Sequence, residues 1–293
     1  MPVSAFLLVL LGALIHAGWN IVAKKAHGDV RFIFFNSIIM AVVWAPFVIW
    51  LGWDIVPTWG VKEWTLIAAS SVIHTLYFYC LLTGYRKSDL TIVYPLARGS
   101  GPLLSSSVAV VVFGEQISAL GVLGIAGVVL GVFLVAGGPG LFKAAHDPAR
   151  RERVQAGVFW GFLTGALIAC YTVLDAYTVK IVAMSPILFD FWCNILRMPY
   201  AAVPVLRDIP EAKRLWKLQW KYAAVVAVFS PIAYVCVLYA IRMAPVSHVA
   251  PAREVSMLFA ALIGGHLLGE GDRWLRIAGA AAIALGVMAL ALG

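Results

Sequence analysis

Arg98 and Arg253 each stand inside a long apolar run, a few residues after Pro95 and Pro251. A charge at membrane depth is costly, so it normally faces a bundle interior or a wet cavity. The planar guanidinium fork donates two hydrogen bonds at once to a carboxylate or phosphate, so two such arginines point to an anionic ligand group. Each is expected about one turn into its span, with the proline at the helix start; the competing reading has both side chains snorkelling to water at the interface. Glu254 follows Arg253 and points about 100° away from it on a helix. Its options are to pair with Arg98, to carry a proton or to bind an amine. Its counterpart in the first half of the chain is Gly99.

Other candidates gather by helical spacing. His16, Trp19 and Asn20 share one face at i, i+3 and i+4, and Tyr171 and Asp175 are their counterparts later in the chain. Asp175 is a lone carboxylate among Cys170, Val173, Leu174 and Ala176, which calls for a cation or a cavity, with Lys180 as the structural alternative. His74 and Tyr77 share a face, Tyr94 opens the next span, and Tyr234 stands in a later one. Polar aromatics like these either fix an organic ligand with few donors or simply pack. Trp19 has the further reading of an interface anchor. Asp190 and Arg197, seven residues apart, read first as structural charges with partners across the bundle. The expected substrate site is therefore Arg98, Arg253, Glu254, Asp175, Trp19, Asn20, His16, His74, Tyr77, Tyr94, Tyr171 and Tyr234.

No catalytic set accompanies these residues. The chain has no HExxH, no GxSxG and no His/Asp cluster with ligand spacing. Cys80, Cys170, Cys193 and Cys236 lie in apolar runs without a CxxC and read as buried apolar side chains. The expectation is no enzyme, no metal, no cofactor and no disulfide.

The elements that must position the candidates are membrane spans. The 293 residues are 62% hydrophobic and 12% charged, against about 25% charged in soluble domains. A span needs roughly 20 apolar residues. Ten candidates emerge, at 3–23, 32–52, 64–84, 91–113, 118–136, 156–178, 186–206, 222–241, 246–268 and 274–292. Residues 3–15 are not read as a signal peptide, because no basic stretch precedes them and no small-x-small cleavage site follows. Sixteen of the 22 Lys and Arg fall on one side of an alternating ten-span topology, and Lys62, Lys180 and Arg242 on the other. The positive-inside bias then places both termini outside the cytoplasm. The basic face is a topology signal and a contact for anionic lipid rather than for nucleic acid.

The two arginine segments are copies of one another. Cys80 aligns with Cys236, Leu82 with Leu238, Arg86 with Arg242 and Pro95 with Pro251 at an offset of 156. After a one-residue deletion, Arg98 aligns with Arg253 and Gly114-Glu115 with Gly269-Glu270 at 155. At the same offset Asn20 meets Asp175 and Lys25 meets Lys180. The chain therefore divides into a first unit (1–136), a cytoplasmic linker (137–155) and a second unit (156–293). Five spans per unit is an odd number, so the second unit enters the membrane upside down. Inverted repeats are a mark of secondary transporters, with the substrate near the midplane between the repeats.

The GE-x(8)-G-x(6)-G pattern in both units, the HAGWN…KK stretch in the first span and the two five-span units cover essentially the whole chain. In these the chain resembles the EamA-type permeases of the drug/metabolite transporter superfamily. The resemblance implies an all-α membrane fold of ten helices as two inverted repeats, with the first four spans of each half lining a cavity and the fifth and tenth peripheral. It also implies a role for basic residues on spans 4 and 9, as in phosphate-carrying relatives. Gly121, Gly124, Gly127 and Gly131 on span 5, with Gly279 and Gly286 on span 10, form small-residue faces. Such faces serve either packing of the two spans or a homodimer contact.

The resulting expectation is a secondary active transporter of a small zwitterionic or anionic metabolite (an amino acid, organophosphate or phosphonate) in a bacterial inner membrane. Within the same class the alternative is an exporter of amines or lipophilic cations, using Glu254 or Asp175 with Trp19 and the tyrosines in cation–π contact. Its weakness is the arginine pair, which would repel such a cargo.

Overall fold

The computed structural model describes residues 1–26, 28–88, 90–135, 138, 151–263 and 273–293. Gly269, Glu270 and most of the 137–155 linker lie outside the described residues. The first unit holds α1 (Val3–Lys25), α2 (Arg31–Gly52), α3 (Val61–Lys87), α4 (Leu90–Phe113) and α5 (Ala119–Val135). The second holds α6 (Arg151–Ala176), α7 (Pro186–Arg207), α8 (Ile209–Met243), α9 (Val246–Ala252), α10 (Val255–Ile263) and α11 (Arg273–Leu292). Among the described residues there is no strand. A π-helical turn, Tyr177–Ile181, extends α6.

On α1 the side chains are sorted by size rather than by polarity. The buried face is Ala5, Val9, Gly12, Ala13 and Ala17, while Leu7, Leu11 and Leu14 point outward. Lipid tails solvate a leucine as well as a protein interior does. What draws helices together is the close approach that small residues permit. A Cβ added at Gly12 would sit 2.9 Å from the Ala233 carbonyl on α8. Among the described residues, six helical stretches are long and apolar enough to cross a membrane, and α5 and residues 277–292 are shorter apolar helices. The chain is a multi-pass membrane protein.

Helix packing respects the repeat. If α1 is exchanged with α6, α2 with α7, α3 with α8 and α4 with α9–α10, the α1–α8 contact becomes α6–α3 and the α4–α6 contact becomes α9–α10 against α1. The α2–α7 and α5–α11 contacts map onto themselves. The glycine faces of α5 and α11 meet each other within the chain. A Cβ at Gly131 would lie 2.6 Å from the Gly279 carbonyl, and one at Gly286 2.7 Å from the Gly124 carbonyl. These faces are thus filled by intramolecular packing, and a dimer through the two helices would have to use their outer sides.

One expectation about the arginine helices is corrected. Pro95 and Pro251 do not start helices; each is the sixth residue of its helix. Arg98 therefore sits in the third turn of α4, deeper than one turn. In the second unit the helix stops at Ala252 and resumes at Val255, so Arg253 and Glu254 occupy the break. Pro251 has no N–H to offer the Ser247 carbonyl. Ser106 Oγ of α4 donates to that carbonyl at 3.2 Å instead. The N-terminus of α9 is held from the first unit as well. Glu115 accepts the backbone N–H groups of Val246 at 2.7 Å and Ser247 at 2.9 Å.

Candidate functional site

α4, α6 and the α9–α10 break converge on a small cavity. Arg98, Pro102 and Ser105 line it from α4, Ile168 and Thr172 from α6, and Ala250, Arg253 and Glu254 from the second unit. The two arginines thus meet across the repeat, as their spacing predicted. They are not equivalent. Arg98 Nε lies 2.9 Å from Glu254 Oε2, and its Nη2 donates to Ser256 Oγ at 3.1 Å. The Nε–H is not aimed at the carboxylate, so that contact is an ion pair by distance and not a directed hydrogen bond. Arg253 has no ion pair and no side-chain hydrogen bond among the described residues. Its guanidinium lies 6.0 Å from the centre of the Tyr234 ring, as that of Arg98 does from Tyr94.

Buried polar atoms without partners gather here. Thr172 Oγ1, Arg98 Nε and Glu254 Oε2 are buried with no hydrogen bond among the described residues, as is Trp19 Nε1. Buried polar atoms are paired in the great majority of cases, so exceptions that line one cavity ask for an explanation. The cavity holds about one water molecule. An organic ligand enters only if the helices part.

Beside the cavity, one turn beyond Thr172, Asp175 is fully buried. Ser70 Oγ of α3 donates to its Oδ1 at 2.7 Å. The Tyr234 hydroxyl of α8 donates to its Oδ2, and His74 Nε2 lies 3.9 Å from the same oxygen. His74 stacks on Tyr171 at 4.1 Å between centroids, and Tyr77 meets Tyr171 edge-on at 5.7 Å. His16 and Trp19 make an edge-to-face pair at 4.7 Å, and the charges of both Arg98 and Arg253 act on His16.

The structure thus brings Arg98, Arg253 and Glu254 to one cavity, with Asp175, Tyr234, His74, Tyr171, Tyr77, Tyr94 and His16 around it. Trp19 contacts His16 edge-on but is not among the residues that line the cavity. Asn20 is exposed and is not brought in. Lys180 is not the partner of Asp175. The π-helical turn carries it to Glu115, 3.5 Å away, and to the Ala244 carbonyl at 3.2 Å. Asp190 and Arg197 find no ion-pair partner among the described residues, and Arg197 Nε donates only to the Cys193 carbonyl, at 3.3 Å. Ser70, Thr172 and Ser256 also belong to this group, although helical spacing did not single them out. Ser70 was within reach, four residues before His74 on the same face; Thr172 and Ser256 carried no signal beyond being small hydroxyls in apolar runs.

No curated protein matches the sequence. A crystal structure described only as that of a protein superposes with a TM-score of 0.75 at 14% identity, covering 100% of this chain and 98% of its own. At that identity the likeness is one of fold. The profile of the EamA-like transporter family matches twice, over residues 3–137 and 155–292. The repeat seen in the sequence and the two matches coincide, and the chain belongs to the EamA-like transporter family.

Proposed function

We propose that this drug/metabolite-type transporter is a secondary active carrier of a small organic metabolite with one anionic group, either a net anion or a zwitterion. It works by alternating access between two inverted five-span units in a bacterial inner membrane. The observation that carries the reading is Arg253: a guanidinium on the cavity wall, at a helix break, with no carboxylate to pair it among the described residues. Its counterpart Arg98 is occupied by Glu254. An anionic group satisfies Arg253 bidentately and also reaches the Thr172 hydroxyl. Glu254, which borders the same cavity, faces the ammonium end of a zwitterion. Asp175 serves that purpose less well, because Ser70 and Tyr234 already donate to its two oxygens. Interrupted helices at the midplane are a recurrent way to build such sites.

The test is a thermal-shift screen of the purified protein against amino acids, phosphate and phosphonate esters, their deaminated analogues and choline-like cations. A ligand at 100 times its Kd stabilises the fold by about 2.7 kcal/mol. Expected hits carry a carboxylate or phosphate. Arg253→Ala abolishes the shift, and Arg253→Lys weakens binding about tenfold, close to the value of one charge-assisted hydrogen bond. A cation that binds the wild type tightly and is indifferent to Arg253→Ala would overturn the anionic reading and promote the amine-exporter one.

A further inference from the structure

Asp175 is in the wrong place for a structural carboxylate. It is fully buried at membrane depth, and no Lys or Arg lies within ion-pair distance of it among the described residues. Two hydroxyls donate to it, Ser70 to Oδ1 and Tyr234 to Oδ2. The neighbouring imidazole is set in one tautomer. His74 Nδ1 lies 3.0 Å from the Ser70 carbonyl. A carbonyl only accepts, so Nδ1 carries the hydrogen. The Nε2 of a neutral His74 is then a bare lone pair, and it faces Asp175 Oδ2 at 3.9 Å. Two proton acceptors confront one another with no donor of their own between them.

We propose that Asp175 and His74 form a binding site for one exchangeable proton, and that this proton travels with the anionic group held by Arg253. The first half stands on the Asp175 geometry alone; the second rests on the anion reading given above. The step is an addition and nothing else. A proton from the aqueous side binds Oδ2 of Asp175, which faces the Nε2 lone pair of His74, and it leaves to the other side when the cavity opens there.

The charges around the pair supply the coupling. Asp175 is faced by Asp190, Cys193 and Arg197 on α7, by Ser70 and His74 on α3 and by Tyr234 on α8. Arg253 acts on both His74 and Tyr234. Arg98 and Glu254 cancel each other. Arg253 and Arg197 balance Asp175 and Asp190, so with His74 neutral the empty site carries no net charge. A substrate with one net negative charge leaves the site negative in a medium that solvates charge poorly. One bound proton restores neutrality. Each of the two ligands therefore lowers the cost of the other, and linkage makes the effect reciprocal. The Tyr234 ring, under the Arg253 guanidinium while its hydroxyl touches Asp175, joins the two positions physically.

Infrared difference spectroscopy of the purified, ligand-free protein across a pH series tests both halves. The expected signal is a carboxylic-acid C=O band that grows as pH falls. It shifts on labelling aspartate with carboxyl-¹³C, disappears in Asp175→Asn and persists in Asp190→Asn. The isotope label leaves the fold untouched, so it decides even if Asp175→Asn does not fold. In Arg253→Gln, which removes the cation as a bound anion would neutralise it, the band is stronger at a given pH. A wild type without an aspartate-sensitive band, or a band that Asp190→Asn removes instead, overturns the proton site. A band that belongs to Asp175 but has the same intensity in Arg253→Gln overturns the coupling. Failure of the anion reading would appear separately, as a thermal-shift panel with no Arg253-dependent hit.

Discussion

Arg98 and Glu254 show how a charge survives at membrane depth. Their side chains are 18% and 5% exposed, and each depends on the other for most of its compensation. Removing one partner of a buried pair leaves an uncompensated charge and typically costs about 3–5 kcal/mol, while replacing both with apolar groups is often neutral or stabilising. Glu254→Gln is accordingly expected to lower thermal stability by about 3 kcal/mol, and Arg98→Met with Glu254→Met to recover most of the loss. Calorimetry or denaturant unfolding in detergent measures both. A double variant no better than the single one would mean that Glu254 is held by something other than Arg98. The pairing itself was one of the options visible in the sequence, since adjacent positions 253 and 254 point apart on a helix. The freedom of Arg253 was not visible, because it depends on what stands opposite.

The helices were legible in proportion to how local their causes are. Apolar length placed most of the span ends to within about five residues, but α8 begins at Ile209, well before the expected 222; the repeated glycines marked α5 and α11. The break at Arg253 was not legible from Pro251, two residues before it. Pro95 stands at the equivalent place, and α4 runs straight through it. The Lys180–Glu115 pair escaped for a similar reason. It joins positions 65 residues apart, and only the π-helical turn after α6 brings them together. The glycine faces yield a sharper expectation. Any side chain at Gly131 meets the Gly279 carbonyl and the Ile283 backbone nitrogen at under 3 Å. Backbone cannot yield cheaply, so Gly131→Ala should cost about 1–3 kcal/mol, as overpacking does. Gly18→Ala on α1 meets nothing within 4 Å. It should be neutral or stabilise by up to about 1 kcal/mol, the helix-propensity difference. Equal effects of the two changes would show that α5 and α11 do not depend on this contact.

At the scale of the whole molecule, the direction of each helix can be read from contacts at the bundle's ends. The Met1 ammonium donates to the Ala291 carbonyl at 2.9 Å, so both termini lie at one end. The Glu115, Lys180 and Ala244 cluster joins three connections that the alternating ten-span topology assigns to that same end. Lys62 over the Tyr177 ring belongs there too. At the other end, Arg31 reaches both Asp29 and Asp208, and Lys87 lies over the Trp160 ring. Every one of these contacts joins segments expected on one side, which supports the inverted arrangement. The basic loops then choose which end faces the cytoplasm. Lys24, Lys25, Arg31, Arg86, Lys87 and Arg207 all belong to the end opposite the termini. Lysine and arginine in short loops resist translocation, so the expectation is that this end stays inside and that both termini go out. A C-terminal fusion to a reporter active only outside the cytoplasm should be active, and one to a cytoplasm-only reporter silent. A fusion in the 53–60 connection should behave like the C-terminus, and one in the 137–150 linker the opposite way. A C-terminal fusion active only in the cytoplasm, with the linker fusion active outside, would invert the whole assignment while leaving the helix packing intact. Active reporters of the same kind at the C-terminus and in the linker would instead break the ten-span alternation, and with it the inverted repeat on which the two-sided site depends.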